Sequence, residues 1–121
     1  MKTHKEMKAE YKQMKFRMGV FQIRNIANNK ILIGRNLQLD NEWNSHKFQL
    51  NAGMHGNETL QKEWKEYGAD NFVYEILNII EESNDKPRDY AKEIKALEEL
   101  YLEKLQPYDD KGYNIRTHNI I

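Results

Sequence analysis

The chain has 121 residues, 39% of them hydrophobic and 31% charged, and its 19 Lys/Arg balance 19 Asp/Glu to a formal net charge of zero. That length holds one domain, the lack of cysteine excludes disulfides and thiolate zinc sites, and no apolar run is long enough to span a bilayer. The mean hydropathy of −0.96 is polar for a globular domain, yet the clustered apolar residues and 11% aromatics fit a small core under a charged surface better than disorder.

Residues 1–24 hold seven Lys/Arg against two Glu, a net of +5. The start is charged and lacks the apolar stretch of a secretory signal, so a cytoplasmic location is expected. Met7, Tyr11 and Met14 lie at i, i+4, i+7, with Lys5, Lys8, Lys12 and Lys15 elsewhere on the wheel. This spacing predicts a basic amphipathic helix over residues 1–17, apart from the domain of residues 18–121. Its apolar stripe would dock on the core or on a protein partner, and its lysines would track phosphates or simply solvate the helix.

Residues 18–25 and 30–36 read as two strands of a hairpin, with Ile26-Ala27-Asn28-Asn29-Lys30 as the turn, because Asn tolerates φ > 0. A helix is expected over 40–51, capped by Asp40, with Leu39, Trp43, His46 and Leu50 inward. A second, over 57–67, starts at Asn57, carries Leu60, Trp64 and Tyr67 on one face, and ends at Gly68. Residues 71–80 read as a third strand with Phe72, Tyr74 and Ile76 on one face. A polar loop at 81–85 follows, then a long helix opened by Pro87 and running to about Leu105. Gly112-Tyr113-Asn114-Ile115 is expected to add a short strand. Residues 81–110 hold five Lys/Arg against ten Asp/Glu, a net of −5. The expected class is α+β, with a small antiparallel sheet flanked by helices.

Three polar residues stand on or beside apolar faces: His46, Glu98 and Asn114. Alone, each reads as a hydrogen-bonded core histidine, a boundary carboxylate and a turn residue. Glycine-rich phosphate loops, His-x-x-x-His ligand spacing and a legible Ser/His/Asp arrangement are absent.

Taken in order, from about Met18 to Asn114, the chain resembles the GIY-YIG nuclease family. Gly19-Val20-Phe21 stands at the GIY position and Leu32-Ile33-Gly34 at the YIG position. Leu37, Trp43 and His46 match the first helix of the family. Asn57, Leu60-Gln61, Trp64, Tyr67-Gly68 and Asn71-Phe72 match its next segment. Leu97-Glu98 and Leu102-Glu103-Lys104-Leu105 match its catalytic helix, and Gly112-Tyr113-Asn114 its closing GYN.

The resemblance implies a three-stranded antiparallel sheet flanked by helices, and metal-dependent hydrolysis of phosphodiester bonds in DNA. It implies Glu98 as the ligand of Mg²⁺ or Mn²⁺, His46 as the active-site histidine, Asn114 as a supporting residue, and Gly19 and Gly34 as motif glycines. Three positions depart: Phe21 and Leu32 replace the motif tyrosines, and Glu42 replaces an arginine. A positioned base is worth about 10²–10⁴ in rate, and a preorganised cation is worth on the order of 10²–10³.

The expected function is therefore a GIY-YIG-type domain that binds nucleic acid, with catalysis lost or strongly weakened. The alternatives are an endonuclease using Glu98–Mg²⁺ with His46 as base, and a protein-interaction module. Two minor readings stand beside these: Arg35 either replaces the lost clamp from a new position or is a solvated strand-end arginine, the commoner case, and Glu42 with Glu98 could form a carboxylate pair for a second metal. With a neutral chain, affinity for DNA has to come from a local patch.

Overall fold

A computed structural model describes residues 17–82 and 88–116. The predicted N-terminal helix with Lys5, Lys8, Lys12 and Lys15 lies outside the described residues, as do Pro87 and residues 83–85 of the polar loop.

Three strands form one antiparallel sheet: β1 (Met18–Asn25), β2 (Ile31–Asn36) and β3 (Phe72–Ile80), in the order β2-β1-β3. The β1–β2 turn is built by asparagines. Asn25 Oδ1 accepts the Ala27 N–H at 3.0 Å and Asn28 Oδ1 accepts the Lys30 N–H at 3.0 Å. Asn29 takes φ 63°, a left-handed conformation that asparagine adopts more readily than most residues.

Helix α1 (Leu39–Asn51) follows β2, and α2 (Glu58–Tyr67) precedes β3. As expected, Asn57 caps α2, accepting the Leu60 N–H at 3.0 Å, and Gly68 at φ 87° ends it. Asp40 is not the cap of α1. The helix starts at Leu39, so Asp40 lies in its first turn, where the helix dipole favours a carboxylate, and there it takes Arg17 in an ion pair. The long helix α3 (Tyr90–Leu105) begins three residues beyond Pro87. Asp89 caps it through the Lys92 N–H at 3.1 Å. The expected strand in the tail is reduced to a single bridge, Ile31 with Gly112.

Strand alternation divides the sheet into two faces. The register pairs Phe21 with Gly34 and Ile76, and Ile23 with Leu32 and Tyr74. This face meets α1 and α2 in a core of Phe21, Ile23, Leu39, Leu50, Leu60, Trp64, Phe72 and Tyr113. On the other face α3 packs over β1 and β2, where Val20, Ile33 and Ile94 are buried. Among the described residues, no helix is long and apolar enough to cross a membrane.

A carboxylate closes the turn end of the domain. Glu63 of α2 is buried and accepts from Asn28 Nδ2 at 2.6 Å, Lys30 Nζ at 2.9 Å and Tyr113 Oη at 2.9 Å. Burial pushes its carboxyl up, but these donors outweigh that and hold it below the ordinary range.

Gly19 is required by the sheet. It sits at φ 154° beside a register shift in the β1–β3 ladder between Val20 and Phe21. A Cβ there would lie 2.0 Å from the Asn78 carbonyl oxygen. Gly19→Ala is therefore expected to cost about 3 kcal/mol or more. Gly56→Ala, where a Cβ meets nothing within 4 Å, is expected to change stability by less than about 0.5 kcal/mol. Urea denaturation of both variants against the parent checks this contrast.

Candidate active site

Four consecutive residues of β2, Ile33 to Asn36, touch almost every residue that the sequence singles out. The Ile33 backbone takes Asn114: its N–H donates to Asn114 Oδ1 at 2.8 Å, and Asn114 Nδ2 donates to the Ile33 carbonyl at 2.9 Å. Asn114 thus pairs like one more strand residue, and both ends of its amide are committed.

Gly34 faces Phe21. A Cβ on Gly34 would come within 2.6 Å of the Phe21 ring, which is only 2% exposed. That ring packs at 5.7 Å from the His46 ring and 5.3 Å from the Tyr74 ring. Leu32 lies on the same face, partly buried against the core. Tyr74 does not restore a missing hydroxyl to the site, because its Oη donates to the Leu39 carbonyl at 2.7 Å. Burial, then the charges of Glu42 and Asp40, pushes its phenol up to about 12, the wrong direction for a base at neutral pH.

Asn36 leads into a chain of hydrogen bonds. Its Nδ2 donates to Glu42 Oε2, and the other Glu42 oxygen meets His46 Nε2 at 2.7 Å. His46 Nδ1 meets His55 Nε2 at 2.7 Å, and His55 Nδ1 accepts the Asn57 N–H at 3.0 Å. A backbone N–H can only donate, so neutral His55 carries its proton on Nε2 and gives it to His46 Nδ1. Neutral His46 then carries its own proton on Nε2, directed at Glu42. Both nitrogens of His46 are engaged, so the free imidazole expected of a base is not free.

Arg35, between Gly34 and Asn36, turns to the opposite face of the strand. Its Nη1 donates to Glu98 Oε1 of α3 at 2.6 Å. Glu42 and Glu98 thus each have a partner of their own, and no contact among the described residues joins them as a carboxylate pair. A divalent cation at Glu98 would have to compete with a guanidinium already on its carboxylate. Among the described residues no three His, Asp or Glu side chains group as a metal site. The donors present do not fit a divalent ion in this geometry.

The residues missed by sequence reasoning are His55 and Asn36. His55 is nine residues from His46 across a loop, a separation with no helical or ligand periodicity. Asn36 looks like a strand-end residue.

No protein-family model matches the chain. A curated protein, intron-associated endonuclease 1 of Enterobacteria phage T4, is 30% identical over 97 residues. The match takes in 80% of this chain and 36% of that protein, so the chain spans little more than a third of its relative. A structure of a mutant catalytic domain of intron endonuclease I-TevI superposes with a TM-score of 0.69 at 27% identity, covering 84% of this chain and 95% of that one. A second structure, of the catalytic domain of homing endonuclease I-TevI, gives 0.67 at 28% identity, covering 83% and 99%. This chain has the fold of the I-TevI catalytic domain. It is homologous to that domain.

The hydrogen-bonded chain through the two histidines makes the site sensitive to acid. Burial, and next the neighbouring His46, hold His55 below its ordinary value of 6.5. Glu42 is held below 4.5 first by its bond to His46, against the opposing effect of burial. The unfolded chain therefore takes up each proton first, and acid favours unfolding. The stability from neutral His55 is complete above 6.5 and is lost as the pH falls through its lower folded value; that from Glu42 is lost further down, below 4.5. His55→Gln is expected to flatten the decline in urea midpoint between about pH 7 and pH 5. Equal slopes for variant and parent would refute this assignment.

Proposed function

We propose that this chain is a GIY-YIG-type nuclease domain that engages nucleic acid and in which phosphodiester cleavage is lost or strongly weakened. The reading is supported by homology to the catalytic domain of an intron-associated endonuclease. The observation that carries the loss is the state of His46, closed between Glu42 and His55 and covered by the ring of Phe21.

Each replacement acts on a separate part of the chemistry. Phe21 keeps the aromatic volume but has no hydroxyl with which to orient or deprotonate water. Leu32 keeps the packing of β2 and has no polar atom. Glu42 puts a carboxylate where a cation would stabilise the charge growing on the phosphoryl oxygens, and its partner His46 has no lone pair left to accept a proton. Losing a base costs about 10²–10⁴ and losing a preorganised cation on the order of 10²–10³. The two losses are not strictly additive, yet together they remove several orders of magnitude.

Binding is less damaged than chemistry by these changes. The backbone of a nucleic acid is recognised by cations and hydrogen-bond donors, and sequence-independent contacts to phosphate need neither tyrosine. The neutral chain limits such binding to a local patch, so the complex is expected to be strongly salt-dependent.

The test restores what is missing. In the triple variant Phe21→Tyr, Leu32→Tyr, Glu42→Arg, made together with Arg35→Ser to free Glu98, nicking of plasmid DNA with Mg²⁺ or Mn²⁺ is expected to rise by about 10²-fold or more over the parent. Gel shifts of the parent with duplex and branched DNA across a salt series should give a complex that weakens with salt. Parent cleavage at a rate the combined variant does not exceed would overturn the claim of lost catalysis. Failure to shift any nucleic acid at low salt would overturn the claim of binding.

A further inference from the structure

We propose that Arg35 is a built-in cation that closes Glu98 to divalent metal and itself receives a phosphodiester oxygen of the nucleic acid. The inference rests on the functional reading above for the place of Glu98 in the site. It goes beyond that reading in naming the group that holds the phosphate and in predicting metal-independent binding.

The geometry has a direction. In the Arg35–Glu98 pair the guanidinium side chain is 40% exposed and the carboxylate 15%. The anion lies inside and the cation stands in front of it. An ion approaching Glu98 from solvent meets a like charge first, and one of the two carboxylate oxygens, Oε1, already accepts Nη1–H at 2.6 Å. Mg²⁺ demands near-octahedral oxygen ligands and gives up its water reluctantly, so one shielded carboxylate is a poor competitor for it.

Among the described residues, no group of three His, Asp or Glu side chains makes up the deficit. Glu42 is held by Asn36 and His46, the two imidazoles bond to each other, and Asn114 spends both ends of its amide on the Ile33 backbone. The groups that would complete a coordination shell are turned to other partners.

The same pair is well made for an oxyanion. A guanidinium presents five N–H donors in a planar fork suited to phosphate. The bond to Glu98 uses one of them and holds the fork at the end of β2. Position supports the exchange. Glu42 stands where the resemblance expects an arginine, while an arginine stands seven residues earlier, directly after the motif glycine Gly34. The positive charge has moved from helix to strand, and from one face of β2 to the other.

The experiment reads metal and phosphate separately, on the full chain. Mn²⁺ binding is followed by electron paramagnetic resonance for the parent, Glu98→Gln, Arg35→Ser and the double variant. The parent is expected to show no site that depends on Glu98. Arg35→Ser should gain one, roughly tenfold or more tighter, that disappears in the double variant. Binding of a short fluorescent DNA duplex is followed by anisotropy in EDTA and in Mg²⁺. The parent should bind equally in both within about twofold, Arg35→Ser should lose about tenfold in EDTA, and Arg35→Lys should keep most of the affinity.

A parent Mn²⁺ site abolished by Glu98→Gln overturns metal exclusion, as does equal Mn²⁺ affinity in parent and Arg35→Ser. DNA binding that requires Mg²⁺ overturns the role of Arg35 toward phosphate. Circular dichroism establishes that the variants are folded, and the uncharged Arg35→Gln replaces the serine variant, with the same expectations, if that one is not. An absence of DNA binding in every buffer sinks the nucleic-acid reading, while the Mn²⁺ titration still judges metal exclusion on its own.

Discussion

The close approach of the Phe21 ring to Gly34 is the constraint on which the rest of the site depends. The ring fills the space that any other residue at 34 would need for its Cβ, so the contact holds only with β1 and β2 in the observed register. A slip of one residue would move Phe21 to the α3 face and empty the core beneath α1 and α2. With the ring in place, His46 and Tyr74 pack against it, and α1 is held at the height where Glu42 meets Asn36 at the end of β2. The hairpin positions the helix, and the helix positions the carboxylate.

From that arrangement the site divides its charges. Glu42 is matched by a histidine and an amide, and Glu98 by a guanidinium. A partly exposed ion pair contributes only about 0.2–1 kcal/mol to stability, so the pairs do not hold the fold together. Their effect is chemical. Under the function proposed above, they occupy the carboxylates and the imidazole nitrogen that hydrolytic chemistry would use. The core beneath is satisfied independently: among the described residues, no buried side-chain polar atom lacks a hydrogen-bond partner.

Much of the scaffold is legible in the sequence because it is encoded locally. The Asn-rich turn, the Asn57 cap and Gly68 stop of α2, and the apolar alternation of β1 act over a few residues and appear where expected. Asp40 misled for a related reason. It is a good helix-start signal, but the start was set by another contact: the Leu39 N–H donates to the Arg17 carbonyl at 2.8 Å. The site was legible as a set of positions through the resemblance, and not as a set of partners. That His46 would be closed by His55, or that Arg35 would reach Glu98, depends on side chains 9 and 63 residues apart in the chain. No periodicity records such distances; only the completed fold brings them together.

The Glu63 cluster has a consequence for how the chain is made. Its donors Asn28 and Lys30 come from the first hairpin, its carboxylate from the middle of the chain, and the Tyr113 hydroxyl from the last described segment. On a ribosome the hairpin and α2 emerge long before Tyr113 does. Until then the carboxylate lacks one donor and the core lacks the Tyr113 ring that fills it. The domain is thus sealed by a residue 50 positions after the carboxylate it meets, so a nascent chain that stalls before Tyr113 leaves the hairpin without its closing partner.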